Sequence, residues 1–175
     1  MNCVVIPAYR AASSILAVLK GIGEEIDLIV VVDDACPEGT GPVVSARCAD
    51  PRVVVVMHEQ NQGVGGAFLT GMRYALAKGA DIIVKLDADG QMDPTQVPAL
   101  IRVIANGSAD YVKGDRFFFL TNAASMPRLR LFGNLALSFL TKLSSGYWMV
   151  MDPTNGFFAI HGRVAELLSD DRIAK

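Results

Sequence analysis

Short runs of β-branched and aliphatic residues alternate with stretches of helical spacing along the chain. Cys3–Ile6, Leu28–Val32, Val53–Met57, Ile82–Leu86 and Tyr111–Val112 read as strands. Their near-continuous apolar character is that of strands covered on both faces. Ser13–Ile22, Gly41–Ala46, Gly65–Ala77, Thr95–Ile104, Leu129–Leu143 and Arg163–Leu168 read as helices. Pro94 ahead of Thr95 marks a helix start, where a missing N–H is harmless. Strand–helix alternation predicts an α/β domain around a mostly parallel central sheet flanked by helices. The regular alternation stops near Arg116, beyond which the chain is richer in aromatics.

Composition narrows this picture. A length of 175 residues suits one domain, and 51% hydrophobic against 19% charged residues excludes disorder. Lysine and arginine number 16 and acidic residues 18, a net charge of −2 with no basic run, so no nucleic-acid partner is expected. Cys3, Cys36 and Cys48 lack paired spacing and read as free thiols of a reducing compartment. A strand at Val4–Ile6 leaves no room for a leader peptide, and no uninterrupted apolar run is long enough to span a bilayer. Leu131–Met151 comes nearest, with Lys142 its only charge. Together with a mean hydropathy of +0.35, that segment points to contact with lipid.

The sharpest chemical signal is Lys85-Leu86-Asp87-Ala88-Asp89-Gly90-Gln91, directly after a buried strand. In extended chain, residues two apart face one side about 6.6 Å from each other. Asp87 and Asp89 then present two carboxylates to one point, with Gln91 on the same face. Such a pair repels itself unless a cation intervenes, and oxygen ligands with open positions suit Mg²⁺ or Mn²⁺ on a diphosphate. The same residues also suit a solvated Asp-Gly turn.

Four further segments end strands or open helices. Val5-Ile6-Pro7-Ala8-Tyr9-Arg10 offers a rigid exit and a ring to pack on a base. In Val32-Asp33-Asp34-Ala35-Cys36, one carboxylate can accept from a nucleobase N–H while the other orients a turn or caps a helix. Asn61-Gln62-Gly63-Val64-Gly65-Gly66-Ala67 suits close approach of phosphate to a helix start, and equally a plain turn; it is neither a dinucleotide fingerprint nor a P-loop. Arg116, Arg128 and Arg130 near Phe117-Phe118-Phe119 suit a phosphate on a lipid, and ordinary surface arginine as well. Asp152 sits in a turn-like Asp-Pro-Thr-Asn-Gly, and His58 and His161 have no partner at metal or triad spacing.

The order Pro-x-Tyr, Val-Asp-Asp, Asn-x-Gly-x-Gly, Asp-x-Asp resembles family 2 glycosyltransferases of the GT-A fold. The likeness runs from Val4 to about Ile160 and is nearest the polyprenyl-phosphate subgroup, similar to dolichyl-phosphate mannose synthase. It implies that Pro7, Tyr9, Asp33, Asp34, Gly63, Asp87, Ala88 and Asp89 hold a UDP- or GDP-sugar. Asp87, Asp89 and Gln91 would then hold Mg²⁺ or Mn²⁺. Arg116 (in Gly114-Asp115-Arg116), Arg128 and Arg130, with Asn134 downstream, would face donor or acceptor phosphate, and Asp152–Phe157 the strand that closes the site. Where the family usually reads Pro-x-Tyr-Asn-Glu, this chain has Pro7-Ala8-Tyr9-Arg10-Ala11, without the acidic residue.

The resemblance implies an inverting transfer of a sugar to a polyprenyl phosphate or cell-envelope glycan, at the inner face of the cell membrane. A hydroxyl acceptor would need a base, for which Asp152 is the residue available. We read 1–115 as the nucleotide-binding part and 116–175 as the acceptor-side part of one domain that continues past residue 175 in the family. The rivals are a non-catalytic nucleotide-sugar binding fragment, a sugar nucleotidyltransferase and a phosphohydrolase. The last would carry its Asp-x-Asp on the first strand, and the nucleotidyltransferase an Arg-containing glycine-rich loop after it.

Overall fold

A computed structural model describes residues 1–114, 128–146 and 155–169. These separate into two compact units, one built from 1–112 and 157–169 and the other from residues between them.

The first unit holds the sheet. Its strands are β1 (Asn2–Ala8), β2 (Leu28–Asp33), β3 (Val53–Met57), β4 (Ile82–Lys85), β5 (Tyr111–Lys113, whose last residue falls to the second unit) and β6 (Phe158–His161). Their order is β3-β2-β1-β4-β6-β5. β1 pairs in parallel with β2 and β4, and β2 with β3, while β6 runs antiparallel to β4. The helices of this unit are α1 (Ile15–Lys20), α2 (Thr40–Arg47), α3 (Gly63–Ala77), α4 (Val97–Ala105, entered through a 3₁₀ turn at Pro94–Gln96) and, after β6, α6 (Gly162–Leu168).

The two-residue alternation of a strand sorts the core into two layers. Val4, Ile6, Ile29, Val31, Val84 and Leu86 face α1 and α4 residues such as Ile15, Leu19, Val97 and Ile101. Cys3, Val5, Val30, Val32 and Ile83 face Ala67, Met72 and Ala75 of α3 and Ala165 of α6. Burial on both faces explains why these strands read as unbroken apolar runs. α3 comes unusually close at Gly71, where an added Cβ would stand 2.3 Å from Val5 Cγ1 and 3.0 Å from Val32 Cγ2. Both neighbours are stiff core side chains, so Gly71→Ala should destabilise by about 1–3 kcal/mol. Chemical denaturation reads that directly, and an unchanged midpoint would refute the close packing.

Pro7 lies in the middle of the sheet, where a missing donor is ordinarily costly. Val5 turns its carbonyl to the β4 side, accepting from Leu86 N at 3.1 Å, and Pro7 two residues on turns the same way. The β1–β4 pairing ends at Val5–Lys85, so the absent N–H falls where β4 has already left. The two strands part there, and the site opens between them.

Two expectations need correction. Residues 155–157 are not strand; the strand is Phe158–His161, which the sequence reading did not pick out. The chain is also not extended from Asp87 to Gln91: β4 stops at Lys85, Ala88 and Asp89 form a turn, and Gly90 takes φ +78°.

The described part of the second unit contains α5 (Arg128–Ser145). Leu137, Phe139, Leu140 and Leu143 on it are each at least half exposed, and Ser138 is buried. No helix among the described residues is long and apolar enough to cross a membrane. Asn155, also buried, donates from Nδ2 to the Gly114 carbonyl at 2.7 Å.

Candidate active site

A cavity of about 460 Å³ lies at the carboxyl ends of β1, β2 and β4. Parallel α/β sheets place ligands at this edge, because the strands diverge there and the following loops carry polar groups. Of the residues expected from sequence, Pro7, Tyr9, Asp34, Asp87, Ala88 and Asp89 border it. Asp33, Gly63 and Gln91 do not. Arg116 and Asp152 lie outside the described residues. Arg128 and Arg130 are in the first turn of α5, and their side chains are likewise outside what is described.

β1 delivers Pro7 and Tyr9 to the rim. Tyr9 is 45% exposed, and the Arg10 guanidinium carbon sits 5.4 Å from its ring centre. Arg10 itself has φ +52°, as does Ala35 in the facing loop. Two non-glycine residues in this left-handed region mark the loops around the cavity as strained.

The Asp33-Asp34 pair divides its labour. Asp33 is 1% exposed and both oxygens serve backbone: Cys36 N donates to Oδ1 at 2.7 Å and Gly41 N to Oδ2. It shapes the loop and holds the first turn of α2. Asp34 borders the cavity while its Oδ1 accepts from Gln62 N at 2.8 Å and from His58 Nδ1 at 2.7 Å. A carboxylate only accepts, so His58 carries a proton on Nδ1, and its Nε2 hydrogen-bonds with the Thr70 hydroxyl at 2.9 Å. His58 therefore has partners after all, gathered from β2 and α3 rather than from its own stretch of chain. This buried chain fixes Asp34 from behind.

Cys36 lies in the same loop. Burial pushes its thiol up, but hydrogen bonds from the Thr40 hydroxyl and from the backbone of Thr40, Arg10 and Glu38 outweigh this and hold it below the ordinary thiol range. Cys3, buried in the sheet without such donors, is pushed up to about 12 by desolvation.

On the β4 side, Asp87 Oδ1 pairs with the Lys85 ammonium, and Asp89 Oδ1 accepts from Gln91 N at 2.9 Å. Gln91 thus shapes the turn through its backbone. Asp93 caps the next helical turn, its carboxyl held below the usual range by the Thr95 hydroxyl and N–H. Ser14 Oγ donates to the Ala88 carbonyl at 2.7 Å, tying the start of α1 to the Asp-Ala-Asp turn. The sequence reading missed Ser14 as a site residue, although serine just before an apolar helical run is a recognisable signal. It also missed Arg10, Ala11, Ser13, Val64 and Ala67 as lining residues.

No three His, Cys, Asp or Glu side chains cluster as a metal cage among the described residues. Asp87 and Asp89 nevertheless fit a hard divalent cation: two carboxylates border one cavity and each has a second oxygen beyond the bonds above. Mg²⁺ and Mn²⁺ are commonly bound by one or two carboxylates together with phosphate oxygens.

A largely parallel sheet with this carboxylate pair at its open edge defines an α/β domain suited to an anionic nucleotide and a cation. The profile of Glycosyl transferase family 2 matches residues 3–168, and the chain belongs to that family. It is 35% identical over 185 residues to a UDP-N-acetylglucosamine–dolichyl-phosphate N-acetylglucosaminyltransferase of Methanococcus voltae, covering 98% of this chain and 73% of that protein. It is 40% identical over 116 residues to an undecaprenyl-phosphate mannosyltransferase of Micrococcus luteus, covering 64% of this chain and 46% of the relative. Its fold matches the GT-A glucosyl-3-phosphoglycerate synthase of Mycobacterium tuberculosis, solved with Mn²⁺, UDP and glucosyl-3-phosphoglycerate. The TM-score is 0.70 at 22% identity, over 94% of this chain and 57% of that one.

Proposed function

We propose that this chain forms the donor-binding part of an inverting glycosyltransferase that moves a sugar from a nucleoside-diphosphate sugar to a polyprenyl phosphate. The observation that carries this is the gathering of Pro7, Tyr9, Asp34, Asp87 and Asp89 around one cavity, from three strand ends far apart in sequence. Relatives named for dolichyl- and undecaprenyl-phosphate transfer supply the acceptor class.

In this reading Tyr9 packs on the nucleobase and Asp34, held by His58, accepts from a base N–H. Asp33 keeps the loop in register. The start of α3, where Val64 and Ala67 border the cavity, favours negative charge nearby. Asp87 and Asp89 would hold Mg²⁺ or Mn²⁺, a cation that would supply positive charge to offset what develops on the leaving diphosphate. A phosphate acceptor is already ionised near neutral pH and attacks the anomeric carbon in line without a general base. Arg116, Arg128 and Arg130 are proposed to receive that phosphate, and Asp152 to serve as base were the acceptor a hydroxyl. The exposed apolar residues of α5 support placement at a membrane surface.

The test incubates UDP- and GDP-linked sugars with Mn²⁺ or Mg²⁺, with and without a polyprenyl phosphate. The expected product is a polyprenyl-phosphate sugar that forms only with cation present. Donor binding with neither transfer nor donor hydrolysis would assign the chain to binding alone.

A further inference from the structure

Lys85 is an unusual residue for its place. It ends β4 after Ile82-Ile83-Val84, paired with Val5 of β1 on one side and Phe158 of β6 on the other. Its side chain is 9% exposed, against 31% for Asp87. A buried ammonium needs a carboxylate beside it, and Asp87 Oδ1 is the partner the structure gives it. One of the two carboxylates assigned to the cation is therefore already engaged by a fixed positive charge. Any divalent cation bound by Asp87 lies next to that ammonium, and like charges so close oppose each other.

Building on the donor-site reading above, we propose that Lys85 is a positioning residue that makes cation binding conditional on the nucleotide. It steadies Asp87 and holds down the affinity for a bare divalent cation. The diphosphate brings the negative charge that offsets this repulsion, so cation and nucleotide bind as a pair.

The experiment measures Mn²⁺ binding to the full chain by electron paramagnetic resonance, without nucleotide and with UDP and GDP in parallel. Wild type should bind Mn²⁺ alone at least about tenfold more weakly than with the nucleotide it accepts, a modest figure for a like charge in a half-buried site. Lys85→Met should tighten binding of Mn²⁺ alone by about tenfold and narrow that gap, and Lys85→Arg should restore the wild-type pattern. A lysine that merely filled space would leave the affinity of its methionine variant unchanged or lower, and that result overturns the proposal. So does wild type binding bare Mn²⁺ as tightly as Mn²⁺ with nucleotide, a comparison that needs no variant to fold. Wild type that binds no Mn²⁺, whether alone or with either nucleotide, overturns the donor-site reading itself, and this inference with it.

Discussion

Asp89→Ala is expected to abolish cation-dependent donor binding and to lower transfer by about a thousandfold or more, the scale of several kcal/mol of lost charge stabilisation. Melting should scarcely change. Asp89 is exposed, and among the described residues its oxygen serves the Gln91 N–H in a turn. Asp87→Ala should differ in kind, because it strands the buried Lys85 ammonium and adds a stability loss of about 1–3 kcal/mol to the same loss of function. Calorimetric titration of the donor with and without Mn²⁺, beside thermal melts of both variants, separates the two effects. Donor affinity in Asp89→Ala that still rises with Mn²⁺ would remove this residue from the cation site.

His58→Ala carries the largest expected effect on stability. Asp34 and His58 side chains are 3% and 6% exposed, so the variant leaves a carboxylate oxygen and the Thr70 hydroxyl without their shared partner. A loss of about 2–4 kcal/mol follows, or a melting shift of about 5 to 12 °C for a chain of this size. Thr70→Val removes only the outer hydrogen bond and should cost about 1 kcal/mol. Because Asp34 borders the cavity, the histidine variant should also weaken nucleotide binding by about tenfold where it remains folded, a hydrogen bond's worth of orientation. A melting curve unchanged from wild type would show that the Asp34–His58–Thr70 chain contributes nothing.

β1, β2 and β4 were legible because burial on both faces forces unbroken apolar runs, and the Asp-x-Asp pair because it follows one of them; β3, a partly exposed edge strand, kept the same signal through its run of valines. Other parts were hidden for definite reasons. β6 is four residues long, and its Phe-Ala-Ile-His blends into the helix that follows. His58 looked solitary because its partners stand 24 residues before it and 12 after it, joined only when β2, β3 and α3 pack. The pairing of Lys85 with Asp87 is two residues long in sequence, yet its weight comes from burial, which residue spacing alone does not reveal. The Asp-Gly step at Asp89 did signal a turn. Extended geometry was the wrong choice there, since Gly90 bends the chain and a turn, not strand alternation, aims the two carboxylates.

The excursion between β5 and β6 leaves and rejoins the sheet through strands that are neighbours, and the Asn155 amide closing on the Gly114 carbonyl draws its two ends together. Such a doorway separates inheritance of the cavity-bearing sheet from inheritance of whatever lies beyond it. Under the function proposed above, one sheet then serves different acceptors while the edge that carries Asp34, Asp87 and Asp89 stays as it is.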